Sequence, residues 1–300
     1  MNSDLNVVVF SNLRISSVER LGFMKKSLKP LKDIKFRKWY INIRGEFKDV
    51  AATFLTESLG DRLILTNIES KSGWFKDTQK LFEEVEGQYI FYWIEDHVLQ
   101  IDPKLLVKIF KDMSKYSVDY LHYSFYGFGS HYKEFSSIND KEVYQYFDVI
   151  NYTKEMNLMR QDCAVSLYKK KAYIVSLVGI FSNDLFKKVL HERPFFRLRR
   201  WPKETPFDFE QSPDDLWILP IRMAIPKFEI SCSIDDDNCV PESSLMARGI
   251  FKANISRQSL LQKERRIPKE NSLKEIFRVV FYIPGLRKIY DFCRRITYYF

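Results

Sequence analysis

Two acids and an imidazole arrive together at Glu95-Asp96-His97, directly after the apolar run Tyr89–Ile94 in "GQYIFYWIEDHVLQID". Burying an unpaired polar group costs several kcal/mol, of order 2–7, so this triplet belongs at a strand exit rather than inside a core. There a cation or a polar ligand satisfies the carboxylates; the alternatives are an ordinary exit turn or a capping pair, with His97 a hydrogen-bonding bystander. A second pair of acids, Asp208 and Glu210, alternates with Phe207 and Phe209, which sets both on one side of an extended segment. Behind them Ser212-Pro213-Asp214-Asp215 is a helix start, with Ser as N-cap, Pro at the first helical position and acids at the positive end of the dipole. That explains Asp214 and Asp215; Asp208 and Glu210 are either two exposed acids of an amphipathic edge or groups placed for chemistry. Asp235-Asp236-Asp237 reads as a charged turn or as a loop folding over a ligand.

The elements that must position these residues begin with "NVVVFSN", a buried strand. "SSVERLGFMKKSLKPL" follows, with Val18, Leu21, Met24 and Leu28 at helical spacing and Ser16 or Ser17 as cap. Then come "KWYINIRG" (strand), "EFKDVAATFLTESLG" (helix closed by Gly60), "DRLILTNIES" (strand), "SGWFKDTQKLFEEVEG" (helix, Ser72 as cap) and the strand that ends at the acids. Four strands alternating with three helices predict an α/β fold with a mostly parallel sheet and helices on both faces. Ligands of such sheets bind beyond the carboxyl ends of the strands. Ser11, Asn12 and Arg14 lie there after the first strand, Asn42 and Arg44 at the second, Asn67 to Lys71 after the third, and Glu95-Asp96-His97 after the fourth. Further on, "VDYLHYS" opens as a strand before a Gly-containing aromatic loop, "DCAVSLYKKKAYIVSLVGIFSN" reads as a hairpin turning at Lys169–Lys171, "SNDLFKKVLHE" as a short capped helix, and "KFEISCSI" as another strand.

This order of elements, ending in a hydrophobic strand that delivers adjacent acids, resembles the nucleotide-sugar half of GT-A fold glycosyltransferases, such as those building bacterial surface polysaccharides. The resemblance covers roughly residues 5–250 and implies a GT-A-like, Rossmann-like catalytic domain over 1–250, with a nucleotide-sugar half at 1–102 and an acceptor half at 103–250. It further implies that Asp96, Glu95 and His97 hold Mn2+ or Mg2+ against the donor diphosphate, since hard divalent cations take carboxylate and phosphate oxygens. Ser11, Asn12, Arg14, Asn42, Arg44, Asn67, Lys71 and Glu95 become donor contacts, Arg14 and Arg44 being otherwise surface charges. Glu210 or Asp208 becomes the general base on the acceptor hydroxyl. The activity implied is transfer of a sugar from a nucleotide-diphosphate sugar to a glycan or lipid-linked acceptor. A nucleotidyltransferase on a related sheet is the alternative, although "SNLRISS" lacks the glycines expected of a triphosphate loop.

Charge placement bounds the partners. The net charge is +9, but residues 251–300 carry twelve basic and four acidic side chains, a net of +8, which leaves +1 for the first 250. A near-neutral body with a basic tail argues against a nucleic-acid-binding protein, whose basic residues spread over the folded surface. In the tail, Leu273, Ile276, Phe277, Val280 and Phe281 share a helical face. After Pro284-Gly285, Leu286, Ile289, Tyr290, Cys293 and Ile296 continue the stripe, with Arg287, Lys288, Arg294 and Arg295 off it. The pattern predicts a C-terminal basic amphipathic helical extension lying on an anionic membrane surface, or packing on the core or on a second copy in a homodimer. No secretory leader or spanning run is expected. Together with four cysteines scattered outside any metal or redox spacing, this leads us to expect a cytoplasmic protein, peripheral at the inner face of the plasma membrane.

Overall fold

A computed structural model of the chain describes residues 5–70, 73–124, 138–162, 174, 178–190, 218–234, 244–246 and 248–251, all within one compact unit, Met1–Phe251. Several expectations lie outside these residues: Lys71, the Ser72 cap, the aromatic loop after Ser124, the hairpin turn at Lys169–Lys171, Asp208, Glu210, Asp214, Asp215, Asp235-Asp236-Asp237 and the tail.

The first ninety residues alternate as their sequence demands. Strand β1 (Val7–Arg14) is buried along all but its last residue, as a central parallel strand covered on both faces must be. Helix α1 (Val18–Leu28) follows, with Ser17 as N-cap accepting from the Arg20 N–H. Strand β2 (Trp39–Arg44), helix α2 (Lys48–Leu59), strand β3 (Leu63–Thr66), helix α3 (Gly73–Phe82) and strand β4 (Tyr89–Tyr92) complete the series. Gly60 closes α2 at φ 55°, in the left-handed region that favours glycine.

Beyond β4 the chain continues as β5 (His97–Leu99), α4 (Pro103–Lys115), β6 (Tyr120–Leu121), β7 (Glu142–Val143), β8 (Phe147–Tyr152), α5 (Lys154–Asp162), β9 (Ile180–Ser182), α6 (Asn183–Leu190), β10 (Ile221–Pro226) and β11 (Ser231–Ser233). The main sheet runs β3-β2-β1-β4-β9-β6-β10-β8-β7. Its strands β1, β2, β3, β4, β6, β10 and β7 point one way, and β9 and β8 oppose them. The fold is therefore α/β with a mostly parallel, GT-A-like sheet. Strands β5 and β11 form a separate antiparallel pair just past the end of β4.

Alternation along β1 divides the core. Val7, Val9 and Leu13 pack with side chains of α1, α2 and α4, including Met24, Leu55 and Phe110. Val8 and Phe10 face α3 and α6, meeting Phe82 and Phe186 with ring centroids 5.4 and 5.6 Å away. Helices thus cover both faces, and a ligand of such a sheet belongs at the strand ends.

Candidate functional site

At the carboxyl rim the parallel register sets polar residues side by side. Asn12 of β1 pairs with Asn42 of β2, and Asn42 with Thr66 of β3. Residues in register on one face of neighbouring strands lie within side-chain reach, and these bond directly. Asn42 Nδ2 donates to Asn12 Oδ1 at 2.8 Å, and Thr66 Oγ1 donates to Asn42 Oδ1 at 2.9 Å. Asn12 Nδ2 donates to Thr78 Oγ1 of α3 at 2.8 Å, while Asn42 Nδ2 and Oδ1 also hold the backbone of Ile68. The amides expected to touch a ligand therefore build the floor of the rim.

Arg44 completes the row. It is 8% exposed, and its Nε donates to Asn12 Oδ1 at 3.2 Å. Burial, and then the neighbouring Arg14 charge, hold its pKa below the ordinary guanidinium value, against the pull of Glu69 and Asp77. Among the described residues no carboxylate forms an ion pair with it. A buried cation at a strand end whose described partner is an amide is suited to an anionic ligand. Arg14, the register partner of Arg44, instead reaches out to an ion pair with Glu69 and is largely exposed. Asn67 is exposed just after β3. Ser11 is fully buried, its hydroxyl donating to the Trp93 carbonyl at 2.5 Å, so it ties β1 to the chain leaving β4.

That chain leads to the acids. Trp93 is buried against Trp39, with ring centroids 5.8 Å apart, and its indole N–H donates to Ser27 Oγ at 2.9 Å. A turn closes from the His97 N–H to the Ile94 carbonyl at 3.1 Å, and the Ile234 N–H clamps the Asp96 carbonyl at 2.7 Å from the β11 side. Glu95 and Asp96 therefore sit on a rigid turn, their side chains 13% and 11% exposed.

A residue that the sequence reading passed over holds them. Arg20 Nη1, from the first turn of α1, lies 3.1 Å from Glu95 Oε1 and 2.7 Å from Asp96 Oδ2. The other Asp96 oxygen is 2.8 Å from His97 Nδ1. Burial works to raise Asp96, but the His97 hydrogen bond and charge, and then Arg20, win and hold it well below the usual carboxylate range. Glu95 goes the other way: burial and the adjacent Asp96 push it up to about 7. His97 thus stands as the partner of Asp96, with its Nδ1 turned to that carboxylate. A basic residue in the first turn of a helix opposes the helix dipole, and that anomaly was the signal available for Arg20.

The donor set suits a hard divalent cation, which takes carboxylate oxygens and completes its shell with phosphate or water. Among the described residues no three His, Cys, Asp or Glu side chains converge on one point, so such a cation would have two adjacent carboxylates and a ligand's oxygens. The Arg20 nitrogen between Glu95 and Asp96 marks where a positive charge is held. Buried Tyr92 links the two halves of the rim: after burial, its pKa is raised by Glu95 and lowered by Arg44.

No protein-family model and no curated protein matches the chain. Solved structures of similar shape include TarS of S. aureus, 12% identical, matched over 86% of this chain and 42% of that one with a TM-score of 0.45. A second is the mannosyltransferase PcManGT from Pyrobaculum calidifontis, solved with GDP-Man and Mn2+, 12% identical over 86% of this chain and 68% of that one, TM-score 0.45. A third is a cytidylyltransferase from Leptospira borgpetersenii, 13% identical over 89% and 98%, TM-score 0.43. The GT-A-like fold stands on the chain's own strand order.

Proposed function

We propose that the chain is a glycosyltransferase moving a sugar from a nucleotide-diphosphate sugar to a glycan or lipid-linked acceptor. One observation carries the reading: a buried Arg44, with no ion-paired carboxylate among the described residues, and a largely buried carboxylate pair, Glu95 and Asp96, share one rim of a mostly parallel sheet. A nucleoside diphosphate bridged by a cation presents the complementary charges, anionic oxygens for Arg44 and a bound cation for the acids. Glu95 and Asp96 would hold Mn2+ or Mg2+, which supplies neutralisation of the leaving diphosphate. Arg44, held by Asn12, binds phosphate or the nucleoside beside it, with Asn67 and Arg14 at the margin and Lys71 as a further donor contact. Glu210, or Asp208 two residues before it, takes the proton of the acceptor hydroxyl as it attacks the anomeric carbon. In this reading the basic tail rests on the cytoplasmic face of the membrane, where a lipid-linked acceptor lies.

The test is a thermal-shift series with UDP-, GDP-, CMP- and dTDP-sugars, with and without Mn2+. A ligand at a hundredfold excess over its Kd stabilises the folded chain by about 2.7 kcal/mol. One donor should stabilise in a Mn2+-dependent way and lose its effect in Arg44→Met. No shift with any of them would remove the donor reading.

A further inference from the structure

We infer that Arg20 is the internal counter-cation of the Glu95–Asp96 pair and that a divalent cation enters only by displacing it. The inference rests on the reading of these acids as the cation's ligands. One guanidinium nitrogen bridges oxygens of two adjacent carboxylates, at 3.1 and 2.7 Å. That is the arrangement of a shared cation, and a metal on these oxygens competes with the guanidinium for them. The remaining Asp96 oxygen is taken by His97 Nδ1 at 2.8 Å, so Asp96 offers a metal little without a rearrangement.

Arg20 is placed to make one. It sits at the third position of α1, behind the Ser17 cap, and its side chain is 26% exposed on a long flexible stem. The acids, by contrast, are fixed by the turn and by β11. The movable partner is therefore the guanidinium. When it leaves, it needs another anion, and the phosphates of a donor bring one together with further oxygens for the metal. The enzyme alone should then bind Mn2+ weakly, and neutralising Arg20 should tighten that binding.

Mn2+ alone is titrated into the full-length chain without nucleotide and followed by the electron paramagnetic resonance of the free ion. Arg20→Gln, which keeps hydrogen-bond donors, and Arg20→Met should bind roughly ten- to hundredfold tighter than wild type, the scale of one charged hydrogen bond. Arg20→Lys, which keeps the charge, should stay near wild type. Adding Asp96→Asn to Arg20→Gln should erase the gain. If the neutral variants bind no tighter while Asp96→Asn still abolishes wild-type binding, Arg20 does not compete and the carboxylates remain the metal site. If no variant shows Asp96-dependent binding, the metal reading falls with it. In the wild type the Arg20 Nε–H resonance should move as Mg2+ saturates, and an unmoved signal overturns the displacement without any variant.

Discussion

Asp96 is held at both ends, one carboxylate oxygen 2.7 Å from the Arg20 guanidinium and the other 2.8 Å from His97 Nδ1. A carboxylate so engaged contributes to the fold as well as to any chemistry. Asp96→Asn should abolish transfer and also lower stability, because Arg20 then faces a neutral amide beside Glu95. Breaking a buried ion pair costs about 3–5 kcal/mol, and the partial exposure of Arg20 puts this one at or below the low end. EDTA separates the two effects, since it should stop wild-type transfer with no loss of stability. Full activity in EDTA would remove the metal from the mechanism.

The row Asn12–Asn42–Thr66 makes a second prediction. Asn12→Ala removes the acceptor of Arg44 Nε and one of the two acceptors of the Asn42 amide, and orphaned buried polar groups cost roughly 1–3 kcal/mol. Denaturant unfolding should show that loss, and Asn12→Ala with Asn42→Ala should be less harmful than the sum of the two, since residues of one network couple. Strict additivity would mean that the bonds contribute independently.

How far the sequence revealed this can be argued residue by residue. The order β1-α1-β2-α2-β3-α3-β4 was legible because doubly covered strands are continuous apolar runs and each helix announces its ends, as Ser17 and Gly60 do. Helix α4 carries the same cues, an Asp102 cap whose side chain accepts from the Lys104 N–H and Pro103 at its start, but it lies beyond the four strands and three helices those runs defined. The insertion of β9 between β4 and β6, and the antiparallel β8 beside β10, arise from pairing between distant segments, which no local period encodes. In the site, the rim placement of Glu95 and Asp96 followed from the cost of burying them. Arg20 stayed hidden because it meets Asp96 across 76 residues. The inward turn of Asn12 and Asn42 depends on register, which sequence alone does not fix.

At the sheet's far edge, Glu142 of β7 reaches Arg222 of β10 at 2.8 Å and accepts from the Tyr144 hydroxyl. The Arg222 hydrogen bonds, and then Tyr144, lower its pKa to about 2 from an ordinary 4.5. A carboxylate whose folded pKa is depressed adds stability above its unfolded pKa and loses it as pH falls through the folded one. The melting temperature of the wild type should therefore exceed that of Glu142→Gln at neutral pH, and the gap should close between about pH 4.5 and 2. A gap constant across that window would show that the charge plays no part.

The general base is tested by rate rather than by binding. Glu210→Gln should lower kcat by about 10²–10⁴-fold with little change in donor affinity, because a general base acts in the transition state. Asp208→Asn is the control two residues away, and we expect the smaller effect there. If both variants stay within a few-fold of wild type, the proton is taken elsewhere or the reaction retains configuration.

The tail makes the last prediction on physical grounds alone. Residues 271–300 carry six basic and two acidic side chains beside an apolar stripe interrupted by Pro284-Gly285. Such a segment gains from burying its stripe at the headgroup boundary, and each basic side chain adds about 1 kcal/mol on anionic lipid. It therefore favours the interface over both water and the bilayer centre. We expect the full-length chain to sediment with phosphatidylserine-containing vesicles, and to leave neutral phosphatidylcholine vesicles largely unbound. Salt should release it, because the screening length falls from about 10 Å at 0.1 M to about 3 Å at 1 M. A chain ending near Lys269 should stay in the supernatant while still turning over a water-soluble acceptor, since the rim residues all precede it. Unfolding of that shorter chain would instead make the tail part of the folded core, and unchanged vesicle binding would place the membrane contact elsewhere on the body, whose net charge of +1 offers little attraction.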